Sequence, residues 1–360
     1  MAEEQFIVSA RKYRPSTWGS VVGQSSITDT LQHAIDTGHL ASAYLFCGPR
    51  GVGKTTCARI FAKTINTQDG TDIDADFSFN VFELDAASNN SVDDIRSITD
   101  QVRIPPQVGK YKVYIIDEVH MLSQAAFNAF LKTLEEPPPH AIFILATTEK
   151  HKIIPTILSR CQVYDFNRIT IKDITKHLSW IAEQEGITAE NDALHVIAEK
   201  ADGALRDALS IFDQIVSYCD DNITYDAVIK NLNILDYEYF FKITDALLSN
   251  KIHEALLIYD EILDNGFDGH NFIVGLGGHF RNLLVCKDAI TLRLLEVGDN
   301  IKLKYKEQSA NATAHFLVDG LKITGEADVH YKAAKNKRLH VELAIMKLSS
   351  LTAIEGQKKK

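Results

Sequence analysis

One stretch of this 360-residue chain leaves little freedom in how its first half can fold. Gly48-Pro-Arg-Gly-Val-Gly-Lys-Thr55 fits the pattern G-x-x-x-x-G-K-[ST] at every constrained position. Ahead of it Ala43-Tyr-Leu-Phe-Cys47 reads as a short buried strand, and behind it Thr56-Cys-Ala-Arg-Ile-Phe-Ala-Lys63 reads as a helix. Three glycines let backbone N–H groups turn inward around an anion, and the helix that follows presents its positive end to the same anion. The pattern predicts a phosphate cradle formed by Gly48, Pro49, Arg50, Gly51, Val52, Gly53, Lys54, Thr55 and Thr56. Lys54 would reach the terminal phosphates and the Thr55 hydroxyl would bind Mg²⁺. A strand–turn–helix that merely needs glycine is the plainer alternative; the correct flanking strand and helix weigh against it.

The same alternation continues to about residue 170. Short apolar runs predict strands at Tyr44–Cys47, Val81–Asp85, Val113–Asp117, Ile142–Ala146 and Gln162–Phe166, with helical patterns between them: an α/β domain built on a parallel sheet. Pro137-Pro-Pro139 stops the helix that carries Ala125–Leu134. From about 171 the strand signal disappears. Residues 171–233 read as several short helices with breaks at Gly186 and Gly203, and 234–355 as longer amphipathic helices such as Ala255–Leu263 and Leu339–Leu348. The expected division is an α/β domain over 1–170, a small helical domain over 171–233 and a larger helical domain over 234–360.

Composition narrows the classes. With 45% apolar and 24% charged residues the chain reads as globular, no apolar run reaches the ~20 residues of a membrane span, and Met1-Ala-Glu-Glu-Gln5 lacks the pattern of a signal peptide. Five scattered cysteines with no C-x-x-C pair argue against a disulfide framework and a zinc site, and for a reducing cytoplasm. A net charge of −10 disfavours a surface that grips nucleic acid everywhere, while leaving room for a local basic strip or for DNA held by helix N-termini. Asp72, Asp74, Asp76 and Glu83 stand at calcium-loop spacing, but Phe77 occupies the glycine position and Glu83 falls in a predicted strand, so Thr67–Asn80 reads as a solvated loop. Lys358-Lys-Lys360 reads as a solvated tail or linker.

Four further places carry chemistry. Val113-Tyr-Ile-Ile-Asp117-Glu118 is an apolar strand ending in two carboxylates. Downstream of a phosphate loop, Asp117 would hold Mg²⁺, and Glu118 would take a proton from an attacking water. Ile142-Phe-Ile-Leu-Ala-Thr147-Thr148 ends in hydroxyls; Thr148 is the candidate for sensing a γ-phosphate, Thr147 the fallback, and a threonine capping the next helix the plain alternative. Arg160 in Ser159-Arg-Cys161 would stabilise phosphoryl-transfer charge through its planar fork, against the alternative of a surface ion pair. Arg206, early in a helix of the second region, would fold over the nucleotide, against a charged pair with Asp207 on a solvated face.

Together these residues resemble the AAA+ ATPases, and among them the tau/gamma subunits of the bacterial DNA polymerase III clamp loader. The matching pieces are Arg11-Lys-Tyr-Arg-Pro15, Val21-Val-Gly-Gln24, Gly48–Thr55, Glu83-Leu-Asp-Ala-Ala-Ser88, Ile116-Asp-Glu-Val-His-Met-Leu-Ser123, Leu131-Lys-Thr-Leu-Glu-Glu-Pro-Pro138, Leu145-Ala-Thr-Thr148, Ser159-Arg-Cys161 and Gly203-Ala-Leu-Arg-Asp-Ala-Leu-Ser210. Beyond 234 the likeness is only to a helical collar domain.

The resemblance implies an AAA+ domain, a helical lid and an oligomerising collar in a hetero-pentamer with other clamp-loader subunits. It makes Arg160 a finger acting on a neighbour's ATP, Thr148 the first sensor and Arg206 the second. The stretch Tyr13 to Gln24, including Val22, would line the adenine. Helices starting near Ser88–Val92 and Ser123 would face primer–template DNA, with Asn89, Asn90 and Arg96 as candidate phosphate contacts. ATP binding would open a ring-shaped sliding clamp, and hydrolysis would release it closed on DNA. One departure stands out: the family usually carries a four-cysteine zinc module before the strand ending at Asp85, and Asn66–Phe82 contains no cysteine, so no structural zinc is expected. Helicase- and polymerase-binding regions of the family's longer form are not claimed for residues 1–360. The rival readings are a nucleotide-binding scaffold with little hydrolysis, a DNA-translocating motor and a simple nucleotide kinase.

Overall fold

Odd and even residues of the central strands part company. Leu45, Cys47, Tyr114, Ile116, Phe143 and Leu145 belong to one apolar core, and Tyr44, Phe46, Val113, Ile115, Ile142 and Ile144 to another. Successive side chains in a strand point to opposite faces, so a strand buried along its whole length must be covered on both. This is why the strands read as unbroken apolar runs rather than as alternating ones. The computed structural model describes residues 7–67, 80–107, 109–219, 222–295 and 297–358. Asp72, Asp74, Asp76 and Phe77, with nearly all of the loop reading placed on them, and the last two lysines of the tail lie outside the described residues.

The elements run α1 (Ser9–Lys12), α2 (Ser25–Asp36), β1 (Ala43–Cys47), α3 (Lys54–Thr67), β2 (Val81–Asp85), α4 (Val92–Val102), β3 (Lys112–Asp117), α5 (Gln124–Glu135), β4 (Ala141–Thr147), α6 (Pro155–Leu158), β5 (Gln162–Asp165), α7 (Ile171–Glu185), α8 (Asn191–Lys200) and α9 (Leu205–Cys219). The five strands form one parallel sheet in the order β2-β3-β4-β1-β5. Helices α2 and α3 supply Leu31, Ile35, Phe61 and Ile65 to one face; α4, α5 and α6 supply Ile95, Phe127, Phe130 and Ile157 to the other. Every expected strand is present, with ends differing by a residue.

One expectation needs correction. The strand signal does not vanish after 171, because Thr188–Ala189 and Asn222–Ile223 are strands. Two residues are too few for any periodicity to register. The break at Gly186 is a left-handed cap with φ 71° that ends α7, and Gly203 has φ 80° ahead of α9.

The chain divides into two compact units, one of Met1–Ala189 with Ile197–Asn222, the other of Glu190–Val196 with Ile223–Lys360. The second unit is helical: α10 (Tyr225–Asn231), α11 (Tyr237–Leu248), α12 (Ile252–Asp264), α13 (Gly269–Val285), α14 (Asp299–Asn311), α15 (Ala314–Tyr331) and α16 (Lys337–Lys358). Its core gathers Phe241, Tyr259, Phe272, Phe280, Phe316 and Ile345. Among the described residues no helix is long and apolar enough to cross a membrane.

Candidate nucleotide-binding site

Three segments far apart in sequence leave the same edge of the sheet, because β1 and β3 flank β4. Parallel strands all end on one side, and ligands of open α/β sheets sit at those carboxyl ends. The loop after β1 turns on glycines that nothing else replaces. Gly48 has φ 148°, and a Cβ there would stand 2.4 Å from the Phe166 carbonyl oxygen. Gly51, at φ 76°, leaves only 3.1 Å between its own virtual Cβ and that of Ala204, so the loop packs directly on the start of α9.

Lys54 is 6% exposed, and its Nζ donates to the Gly48 and Pro49 carbonyl oxygens at 2.8 and 2.7 Å. Burial holds its pKa below the ordinary lysine range, against the pull of Glu118 and Asp117. The Thr55 hydroxyl donates to Asp117 Oδ2 at 2.6 Å. This hydroxyl–carboxylate pair is an all-oxygen donor set of the kind a hard divalent cation takes. Among the described residues no group of three or more His, Cys, Asp or Glu is arranged to hold a metal ion.

Glu118 turns away from Asp117 because its backbone is left-handed, φ 46° and ψ 43°. Its Oε2 accepts from Thr148 N at 3.3 Å and from Thr148 Oγ1 at 3.0 Å. Thr147 is buried and serves differently: its Oγ1 accepts from Glu149 N at 3.0 Å, a turn-capping contact, and lies 3.0 Å from His120 Nδ1. So Thr148, and not the fallback Thr147, touches the second carboxylate.

The cleft over the loop is lined by Ala10, Tyr13, Arg14, Pro15, Val21 and Val22 on one side and by Leu205, Arg206 and Leu209 of α9 on another. Arg50 to Thr56, Asp117, Glu118 and Ile169 complete it. Tyr13 is fixed at the rim by donating its hydroxyl to Glu185, with Trp180 edge-on at 5.6 Å. Arg14, Arg50, Lys54 and Arg206 make the lining cationic in a chain of net charge −10. Burial first, then Arg59 and Arg206, press the Arg14 guanidinium below its ordinary range. A polyphosphate is the ligand such a cleft fits. Ile169 had no motif to mark it; Arg14 falls in the stretch expected to line the adenine, and Leu205 and Leu209 in the Gly203–Ser210 run, though none of the three was given a role of its own.

Other expected residues lie elsewhere. Arg160 follows α6 outside this cleft; its Nη2 donates to Glu135 at 2.5 Å and its Nη1 to the Thr156 carbonyl at 2.7 Å. Asn89 and Asn90 precede α4, and the Ser123 N–H donates to the Asn90 carbonyl at 3.3 Å, which joins the N-termini of α4 and α5. Arg96 is exposed and pairs with Asp93 at 3.5 Å. The α4 terminus already carries Asp93 and Asp94 in its first turn, whereas the first turn of α5 has no acid. Glu83, the last of the calcium-spaced acids, accepts from Arg59 at 2.5 Å.

The chain is similar to several known proteins. Residues 23–170 match the family model "DNA polymerase III, delta subunit", and 173–221 match "DNA polymerase III clamp loader subunit, ATPase lid domain". The DNA polymerase III subunit tau of Bacillus subtilis is 40% identical over 350 residues, 94% of this chain and 62% of that one. The DNA polymerase III subunit gamma of Buchnera aphidicola is 32% identical over 360 residues, 96% of this chain and 97% of that one. This chain thus spans about three fifths of the Bacillus relative and nearly all of the Buchnera one. The RuvB Holliday junction branch migration motor of Thermotoga maritima shares the fold, with a TM-score of 0.51 at 22% identity over 66% of this chain and 79% of its own. With relatives 32–40% identical over nearly the whole of this chain, one of them matched over nearly its own full length, the chain belongs to the DNA polymerase III gamma/tau subunit family.

Proposed function

We propose that this chain is an ATPase subunit of the DNA polymerase III clamp loader, which uses ATP binding and hydrolysis to open a sliding clamp and load it onto primed DNA. The observation that carries the proposal is the convergence of Lys54, Thr55, Asp117 and Glu118 in one cationic cleft. Phosphoryl transfer asks of a protein mostly positioning and charge stabilisation. Loop N–H groups and Lys54 hold the β- and γ-phosphates, which offer Lys54 oxygens better than the two carbonyls it now contacts. Thr55 and Asp117 would hold Mg²⁺, which when bound neutralises charge on the phosphate oxygens. Glu118 accepts the proton of the attacking water, and Thr148 fixes that carboxylate. Tyr13, Val21 and Val22 form the base-binding rim, and Arg206 reports the γ-phosphate to the lid.

Arg160 is not among the residues that line its own cleft and is partly exposed beside Glu135, which leaves it available to act on a neighbouring subunit's ATP. DNA phosphates would meet the paired N-termini of α4 and α5, where Asn89, Asn90 and Arg96 stand, with the acid-free α5 terminus offering the stronger N–H donors. The clamp, the other subunits of a hetero-pentamer, primer–template DNA and a cytoplasmic location belong to the same reading. So do a lid over 171–233 and an oligomerising collar over 234–360.

The test is ATPase activity of the assembled complex with wild-type or Arg160→Ala protein, with and without clamp and primed DNA. The expected result is a fall of about 1,000-fold or more at the affected sites, the size of an arginine-finger effect, with nucleotide binding intact. Activity indifferent to Arg160 removes the inter-subunit step. Absence of hydrolysis in the wild type, with binding intact, leaves the scaffold reading.

A further inference from the structure

The carboxylate expected to activate water has a third neighbour, which stands in the Ile116–Ser123 run without a role assigned to it. His120 sits two residues after Glu118, on the short 3₁₀ turn Val119–Met121 that follows β3, and its side chain is 6% exposed. Its Nδ1 lies 3.0 Å from Thr147 Oγ1 and 3.4 Å from Glu118 Oε2; its Nε2 lies 3.2 Å from Glu149 Oε1. The ring is therefore lodged between Thr147 and Glu118 on one side and Glu149 on the other. On the far side Glu149 is held in turn by Lys152 at 2.8 Å and by His151 at 3.6 Å. These contacts, Lys152 foremost, keep the Glu149 carboxyl below the usual carboxylate range.

We propose that His120 is a positioning residue for Glu118, bracing its carboxylate against Thr148 through a ring anchored on Thr147 and Glu149. This inference rests on the reading of Glu118 as the proton acceptor. The physical argument concerns degrees of freedom. Both contacts from Thr148 reach a single oxygen, Oε2, and come from one residue at the end of β4. A rigid imidazole 3.4 Å from the same oxygen approaches it from a second element and narrows where that oxygen can stand. Because His120 is anchored to the turn that runs through Glu149 to Lys152, the carboxylate is referenced to the end of β4 as well as to β3. A general base must stand within hydrogen-bond reach of the proton it takes, and a displacement of about 1 Å at a reacting group costs on the order of 100-fold.

The decisive experiment compares wild type, His120→Ala, His120→Asn, Glu118→Gln and the double variant Glu118→Gln/His120→Ala in the assembled complex. Single-turnover ATP hydrolysis, steady-state kcat and KM, and affinity for a fluorescent ATP analogue are measured for each. The expected outcome for His120→Ala is a kcat lowered by about 10-fold, a partial loss of the roughly 100-fold or larger benefit of a placed base, with KM and affinity within about twofold. His120→Asn, whose amide nitrogen can take the place of Nδ1, recovers part of the rate. In the Glu118→Gln background His120→Ala costs nothing more, since a residue acting only through Glu118 has nothing left to position. A full additional loss in that background overturns the proposal, as does an unchanged kcat in His120→Ala. Should His120→Ala melt well below wild type, Glu149→Ala removes the anchor without opening a cavity, and it must lower kcat in the same way. If wild type fails to bind the analogue, the proposed function fails instead, which separates the two.

Discussion

Lowering the pH should loosen the helical second unit through one buried imidazole. His279 on α13 is 1% exposed, walled by Phe240, Phe241, Phe280 and Tyr305. Gln308 Nε2 donates to the Phe241 carbonyl and to Asp245 Oδ1 at 2.8 and 2.7 Å, which turns its Oε1 toward His279 Nε2 at 2.8 Å. Gln308 Oε1 can only accept, so Nε2 carries the proton and Nδ1 is left to accept from the Tyr305 hydroxyl at 3.1 Å. The neutral ring is satisfied at both nitrogens, and a charged one would be stranded among aromatic rings. Burial accordingly pushes the His279 pKa down to about 4, with the Gln308 contact opposing. The unfolded chain, at about 6.5, therefore takes up the proton first as pH falls. Stability is full above about pH 6.5 and declines toward pH 4, by about 3 kcal/mol at the limit. Urea unfolding followed by circular dichroism at pH 7 and 4.5 should show a fall of about 2 kcal/mol that is absent from His279→Gln protein. That variant starts lower but has no imidazole to titrate. Parallel pH dependence in the two proteins would refute the argument, since the carboxylates they share would then account for the whole effect.

Gly48→Ala must place a methyl group 2.4 Å from the Phe166 carbonyl at a φ of 148°. The expected cost is about 3 kcal/mol or more together with loss of nucleotide binding, and a melting curve within 1 °C of wild type would contradict it. Lys54→Met should weaken ATP-analogue binding roughly 100-fold by removing a charge-assisted contact while leaving the fold intact; equal affinity by fluorescence titration would count against the cradle. Burial raises the Cys47 thiol to about 11 and the Cys57 thiol to about 12, so neither forms thiolate near neutrality. Maleimide at pH 7.5 should leave both unmodified in native protein and label both in urea, as read by mass spectrometry.

Much of the site was legible because its parts are contiguous. A cradle that needs N–H groups from successive residues must be one run of sequence, and Gly48–Thr55 is such a run. Strand-end acids such as Asp117 and Glu118 are marked by the apolar run before them. Ile169 was not legible, and Arg14 and Leu209 were legible only as members of longer runs, because lining a cleft asks only for proximity and leaves no spacing rule. His120 stands in the Ile116–Ser123 run, yet its role escaped for a related reason: a histidine after a strand is ordinary until its neighbours are known. The choice between Thr147 and Thr148 turned on which hydroxyl faces the glutamate, and two adjacent residues at a strand end face opposite ways.

From its residues alone the chain determined its local vocabulary: which segments are strands buried on both faces, where a phosphate loop turns, which helices have an apolar side. Those properties follow from backbone sterics and side-chain character within a few residues. Only the tertiary structure decided that β4 lies between β1 and β3, and this order brings Thr148 to Glu118 and Asp117 to Thr55. It likewise decided that α9 closes on Gly51 and that Glu118 is left-handed. Strand order is set by how whole faces are covered by helices, a global packing condition that no window of sequence contains.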